Sequence, residues 1–163
     1  MLGLTRFGPN GVEDIMVAKA LDDDGTGVAE RRIVTTLAHE AGHGLFHTYY
    51  FALGTDGRSL FGESASNEPL ILCRDEKPVA SYRGQWWEYQ ANKAMAALLL
   101  PSQLVTAALE SYLLRIGSFG AIALDQERRP DAIKMLSETF NVNPVVARLR
   151  LDSLYSETAQ LTL

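Results

Sequence analysis

Residues 36–47, TLAHEAGHGLFH, decide how the rest of the chain is interpreted, because they contain an H-E-x-x-H motif. The surrounding sequence, from about 30 to 50, repeats apolar residues at four-residue steps, which predicts a helix. On a helix, His39 and His43 lie one turn apart on the same side, so both imidazoles can bind one metal ion. Glu40 would lie beside that ion, where it can take a proton from a metal-activated water. The motif therefore predicts a zinc site with a general base.

A third zinc ligand has to come from another part of the chain, although His47 continues the spacing of the motif. His39 and His47 would be about 12 Å apart along a helix, too far for one ion to bind both. We therefore expect His47 to pack or to support the site, with a substrate contact as the alternative.

The best third ligand is Glu88, in a second predicted helix over residues 86–100, because a charge beside an apolar stripe needs a compensating partner. Asn92, one turn later, would hydrogen-bond a liganding histidine. The alternative for Glu88 is an exposed residue in the first turn of its helix.

The rest of the sequence predicts short elements around these two helices. Glycine and proline near the N-terminus predict an irregular lead-in over residues 1–13. The other predicted elements are a strand at 15–21, a turn at 22–27, loops over 54–84 with a short strand at 70–73, a helix at 102–114 capped by Ser102, and a closing helical pair at about 131–140 and 144–155. Together they predict a mostly helical α+β protein.

The composition is that of an ordinary globular domain. The 163 residues are 47% hydrophobic and 21% charged, which predicts a single domain over residues 1–163. The one cysteine excludes an intramolecular disulfide and fits a reducing compartment. The longest apolar run, residues 94–100, is too short to span a bilayer. The net charge of −5 argues against a surface that binds nucleic acid or an anionic membrane.

Two separate segments, in this order, resemble the ImmA/IrrE family of metallopeptidases. The first is residues 36–47, and the second is WEYQAN at residues 87–92, leading to AALLLP at residues 96–101. Residues 136–151, LSETFNVNPVVARLRL, also resemble the closing helices of the family. The similarity covers about residues 28–155. One departure is Met95, which stands where the family usually has an aromatic residue.

The resemblance implies a gluzincin-like zinc endopeptidase with a zincin-like fold, in which a small antiparallel sheet packs on the motif helix. His39, His43 and Glu88 would be ligands of one zinc ion, Glu40 the general base, and Asn92 a supporting residue. Manganese is an alternative ion, because nitrogen and oxygen ligands also bind it. Family members are often cytoplasmic and cleave helix-turn-helix repressors. The implied partner is therefore a protein or peptide substrate such as a transcriptional repressor.

The sequence leaves open which residue contacts the substrate or the transition state, and whether the site is catalytic. Candidates for those contacts are His47, Tyr49, Tyr50, Tyr82 and Arg83. A substrate strand could also pair with the edge of the strand at 15–21. The rival interpretation is a non-catalytic regulatory or binding module with a structural or vestigial metal site, whose closing helices carry Lys134, Arg148 and Arg150 towards DNA or a repressor. A different hydrolase with the same ligands is a third. Glu40 favours catalysis, because a purely structural site needs no base.

Overall fold

The computed structural model describes residues 2–8, 10–52, 70–73, 86–116 and 120–156. The elements in these residues are β1 (Gly3–Gly8), β2 (Gly11–Val17), α1 (Lys19–Asp24), α2 (Gly27–Ala52), β3 (Leu70–Cys73), α3 (Trp86–Leu99), α4 (Ser102–Ala108), a 3-10 turn (Glu110–Tyr112), β4 (Leu113–Ile116), β5 (Ala121–Leu124), α5 (Arg129–Thr139) and α6 (Pro144–Leu154). They are mostly helical, with two small antiparallel sheets, which confirms the predicted α+β class. The chain divides into two compact units, residues 1–95 and 96–163.

The first sheet has the strand order β2-β1-β3, so β1 is the central strand. The predicted irregular lead-in over residues 1–13 is wrong, because β1 and the start of β2 form a hairpin there. Gly11, with φ of 120°, allows the tight turn between them. The strand predicted at 15–21 is shifted as well, because β2 ends at Val17. Helix α1 follows and ends at Asp24, so it includes the first half of the turn predicted at 22–27. The strand predicted at 70–73 is confirmed as β3.

Helix α2 contains the H-E-x-x-H motif, as predicted, and β1 and β2 pack on it. Its buried face is mostly polar. The side chains buried there belong to Ala29, Thr35, Thr36, His39, Glu40, His43 and His47, whereas the apolar Leu37 and Leu45 are exposed. The four-residue apolar repeat that predicted the helix therefore does not mark its buried face.

Helix α3 begins at Trp86 and ends at Leu99, before Pro101, as the sequence predicts. It approaches α2 at Gly42. A Cβ atom at that position would lie 3.0 Å from both the Ala91 carbonyl oxygen and the Ala94 Cβ. Glycine on one helix and alanine on the other thus let the two backbones come close together.

The second unit differs from the prediction in its first half. Helix α4 ends at Ala108 instead of 114, and the following residues form the 3-10 turn and β4, which pairs with β5. Ser102 does not cap α4 with its side chain. The closing helical pair is confirmed as α5 and α6. Asn143 caps α6 by accepting from the Val145 amide, and Pro144 takes the first helical position.

None of the described helices is both long and apolar enough to cross a membrane.

Candidate metal centre

His39, His43 and Glu88 lie together at the contact between α2 and α3. Their nearest ligand atoms are all within 4.8 Å of one another. The two histidine Nε2 atoms are 3.1 Å apart, Glu88 Oε2 lies 3.2 Å from His39 Nε2, and Glu88 Oε1 lies 3.3 Å from His43 Nε2. Ligand atoms about 2.05 Å from a tetrahedral zinc ion are about 3.3 Å from each other. The spacing therefore fits three ligands of a single ion.

The two helices build this cluster from positions one turn apart. His39 and His43 lie on either side of Gly42, which packs closely against α3, and Glu88 lies in the first turn of α3, three residues before Ala91. A larger side chain at 42 would push α3 away and carry the carboxylate with it. The glycine in the motif therefore has a local structural role next to the ligands.

The Glu88 carboxylate is ionised at neutral pH. Burial raises the pKa of Glu88, but hydrogen bonds from His39 and His43, together with their charge, outweigh burial and lower this pKa to about 2. The side chain is 16% exposed, while both histidines are 1% exposed. A buried carboxylate needs a compensating cation or hydrogen-bond donors, and a bound metal ion supplies that charge directly.

Glu40 follows His39 but is not part of the ligand cluster. Its carboxylate is directed to β1, where the Thr5 hydroxyl donates to Glu40 Oε2 at 2.6 Å. A Cβ atom at Gly3 would lie 2.7 Å from Glu40 Oε1, so this strand leaves room for the carboxylate because it has glycine there. The Glu40 side chain is fully buried. It therefore lies beside the cluster, held by the central strand.

His47 also lies outside the ligand cluster, against the far side of His43. The Nδ1 atoms of these two residues are 3.0 Å apart, and His47 Nε2 is 3.1 Å from Gln90 Oε1. The Trp86 ring packs edge-on against His47, with centroids 5.3 Å apart. Burial lowers the pKa of His47, and the nearby His43 lowers it further, against the hydrogen bond to the Gln90 oxygen and the charge of Glu88. His47 is therefore a neutral imidazole in contact with a candidate ligand.

Of the remaining predicted site residues, the structure describes the side chains of Asn92 and Tyr49. Asn92 is buried on α3, but its Oδ1 has no hydrogen-bond partner among the described residues, and the neighbour of His43 is His47 instead. Tyr49 is 78% exposed on α2. Tyr50 belongs to α2, but its side chain, like all of Tyr82 and Arg83, is outside the described part of the chain. The strand predicted to receive a substrate corresponds to β2, an edge strand of its sheet.

Two arginines of the closing helices bind partners within the second unit. Arg150 Nε donates to the Leu100 carbonyl oxygen at 2.7 Å, and Arg129 forms an ion pair with Asp152. Lys134 and Arg148 are exposed. Arg150, one of the three cations in the DNA-binding interpretation, thus stabilises the fold of the second unit.

Three residues around the cluster were not predicted from the sequence. Thr5 gives no local signal, since its role depends on a strand pairing. Gly42 is visible within the motif, and the small residues Ala91 and Ala94 opposite it are a signal for close helix packing. Gln90 lies inside the second motif, but its contact with His47 requires the two helices to be placed in space.

Comparison of the chain with protein-family models, with curated proteins and with solved structures finds no match. The geometry itself establishes a cluster of two histidines and one glutamate that are close enough to hold a metal ion.

Proposed function

We propose that this chain is a zinc-dependent endopeptidase of the ImmA/IrrE type, with a zincin-like fold and a cytoplasmic location. The observation that supports it most directly is the convergence of His39, His43 and Glu88 beside a glutamate that is not a ligand. Three protein ligands leave one coordination position open, as in catalytic zinc sites, whereas structural sites use four. The order of the two motifs supports the family assignment.

Each residue then has a separate task. Zinc, when bound, supplies a Lewis acid that lowers the pKa of a water molecule and polarises the scissile carbonyl. His39, His43 and Glu88 hold the ion. Glu40 takes the proton of the attacking water and passes it to the leaving amine. Thr5 fixes the orientation of the Glu40 carboxylate by donating to Oε2. The proposed substrate, a regulatory protein such as a helix-turn-helix repressor, follows from the family resemblance, and manganese is the alternative ion.

One observation favours a second candidate, a non-catalytic regulatory module with a structural metal site. A general base has to reach the water that it deprotonates. The Glu40 side chain is fully buried and hydrogen-bonded to Thr5. In this alternative, Glu40 ties the sheet to α2 and the ion ties α2 to α3.

The variant Glu40→Gln separates the two candidates, with Glu30→Gln, an exposed position of the same helix, as the matched control. Metal content is measured after purification and again after zinc loading. Hydrolysis is followed with a library of fluorescence-quenched peptides and with an unfolded protein.

The peptidase proposal expects one zinc ion per chain in all three proteins. It also expects cleavage by the wild type and Glu30→Gln, and a loss of about 100-fold or more in Glu40→Gln. Zinc binding without any cleavage by the wild type would favour the non-catalytic module. Equal cleavage by Glu40→Gln would remove Glu40 as the base, and failure of the wild type to bind zinc would contradict both candidates.

A further inference from the structure

Helices α2 and α3 place a row of hydrogen-bonded side chains, which we call the row, behind the candidate metal ligands. Its members are His43, His47 and Gln90. His43 Nε2 faces His39 and Glu88, while His43 Nδ1 faces the Nδ1 of His47 at 3.0 Å. The other nitrogen of His47, Nε2, is 3.1 Å from the side-chain oxygen of Gln90. The row therefore runs from the ligand cluster through two imidazoles to an amide on α3.

Hydrogen-bond chemistry allows only certain proton positions along this row. A neutral imidazole carries one N–H and one acceptor nitrogen. If His43 binds a metal through Nε2, its proton must be on Nδ1, so that His43 donates to His47. The acceptor must then be His47 Nδ1, which puts the proton of His47 on Nε2. That N–H donates to the Gln90 oxygen, which can only accept.

We propose that His47 and Gln90 are positioning residues that, once the ion is bound, hold His43 in the tautomer that binds metal through Nε2. This rests on the proposed metal site and extends it by two residues that lie outside the cluster of candidate ligands. The amide of Gln90 sets the direction of the row, since its oxygen accepts from His47. His47 transmits that direction to His43, and the Trp86 ring packs edge-on against it.

The reversed row is incompatible with metal binding. If the Gln90 amide nitrogen faced His47, it would donate to His47 Nε2, and the His47 proton would move to Nδ1. His47 would then donate to His43 Nδ1, which leaves the His43 proton on Nε2, the atom that faces His39 and Glu88. A metal would have to displace that proton and break the row. Residues that hydrogen-bond to a liganding histidine fix its tautomer and its orientation. Their loss typically costs about 10- to 100-fold in metal affinity.

The variants are chosen to keep size while changing hydrogen-bond chemistry. His47→Leu removes the acceptor, whereas His47→Asn keeps an acceptor oxygen the same number of bonds from Cβ as Nδ1. Gln90→Leu removes the acceptor at the end of the row. Gln103→Leu makes the same change at an exposed position of α4 and serves as the control. Zinc affinity is measured by competition with a chromogenic chelator, and folding by circular dichroism.

We expect His47→Leu and Gln90→Leu to lose about 10- to 100-fold in zinc affinity, and His47→Asn and Gln103→Leu to stay within about threefold of the wild type. Unchanged affinity in folded His47→Leu and Gln90→Leu would overturn the row while leaving the metal site intact. Absence of zinc binding by the wild type would instead contradict the proposed function.

Nuclear magnetic resonance gives a second readout that needs no variant. Long-range proton–nitrogen correlations distinguish the two imidazole tautomers, and the chain has only three histidines to assign. In the zinc-loaded wild type, we expect the proton of His43 on Nδ1 and the proton of His47 on Nε2. A His47 proton on Nδ1 would refute the proposal even if zinc is bound.

Discussion

Replacing Gly42 with alanine tests the helix contact on which the metal cluster depends. The new Cβ atom would lie 3.0 Å from both the Ala91 carbonyl oxygen and the Ala94 Cβ, and 3.2 Å from the Ala91 Cα. Carbon atoms in favourable contact are about 3.5–4.0 Å apart, so α3 would have to move away by a few tenths of an ångström at this point. Metal–ligand distances tolerate changes of only about 0.2 Å. Glu88, one turn along α3, would therefore lose part of its contact with an ion held by His39 and His43.

Two opposing terms set the size of the effect on stability. Alanine favours a helix over glycine by about 1 kcal/mol, while overpacking of a close contact costs about 1–3 kcal/mol. The metal-free Gly42→Ala protein should thus lose about 0–2 kcal/mol of unfolding free energy. Zinc affinity should fall by about tenfold or more, which corresponds to about 1.4 kcal/mol.

Two other glycines of α2 provide matched controls for Gly42→Ala. At Gly27, the first residue of α2, an added Cβ meets no described atom within 4 Å, so Gly27→Ala should be stabilised by up to about 1 kcal/mol with unchanged zinc affinity. At Gly44, the only described atom that the Cβ meets is the Val12 Cγ2, 3.0 Å away, a methyl group at the end of a side chain. Urea unfolding and chelator competition measure both quantities. The reasoning would be refuted if Gly42→Ala gained stability like Gly27→Ala and bound zinc as tightly as the wild type.

Two further predictions concern the charged groups of the site. Thr5→Val should lower the unfolding free energy by about 1–3 kcal/mol, because it removes the hydroxyl that donates to the buried Glu40. Thr5→Ser keeps this hydroxyl and should stay near the wild type in urea unfolding. Equal stability of both variants would contradict the hydrogen bond. The Glu88 carboxyl has its pKa lowered to about 2 from 4.5, so its contribution to stability is present above about pH 4.5 and is lost as the pH falls towards 2. As the pH falls over that range, the unfolding free energy of metal-free Glu88→Gln should therefore decline less than that of the wild type or of the control Glu30→Gln. An unchanged pH profile in Glu88→Gln would show that His39 and His43 do not stabilise the carboxylate.

Local sequence patterns predicted the elements that carry the ligands. Both ligand helices follow from short-range signals: the four-residue repeat around His39 and the apolar run that stops before Pro101. The closing pair follows in the same way, because residues 141–143 indicate a turn and Pro144 fits the first position of the next helix. Such signals act within one or two turns and do not depend on the rest of the fold.

The tertiary structure decided the elements whose stability comes from distant partners. The strand β1 looks irregular in the sequence because of its glycines, yet it is central in its sheet and pairs with β3, more than 60 residues later. The segment after Ala108 was predicted to continue a helix to residue 114, but β4 begins at Leu113 and pairs with β5. In each case, hydrogen bonds to another strand outweigh a weak local preference.

The sequence by itself determined which side chains are candidates for metal ligands and for a base, since His39, Glu40, His43 and Glu88 are recognisable from their types and spacing. Only the tertiary structure decided which groups hold them in place: Thr5 at the base, Gly42 at the helix contact, and Gln90 behind His47. The physical reason is that ligand chemistry belongs to a residue and its near neighbours. Orientation depends on hydrogen bonds and close contacts between segments that come together only when the chain folds.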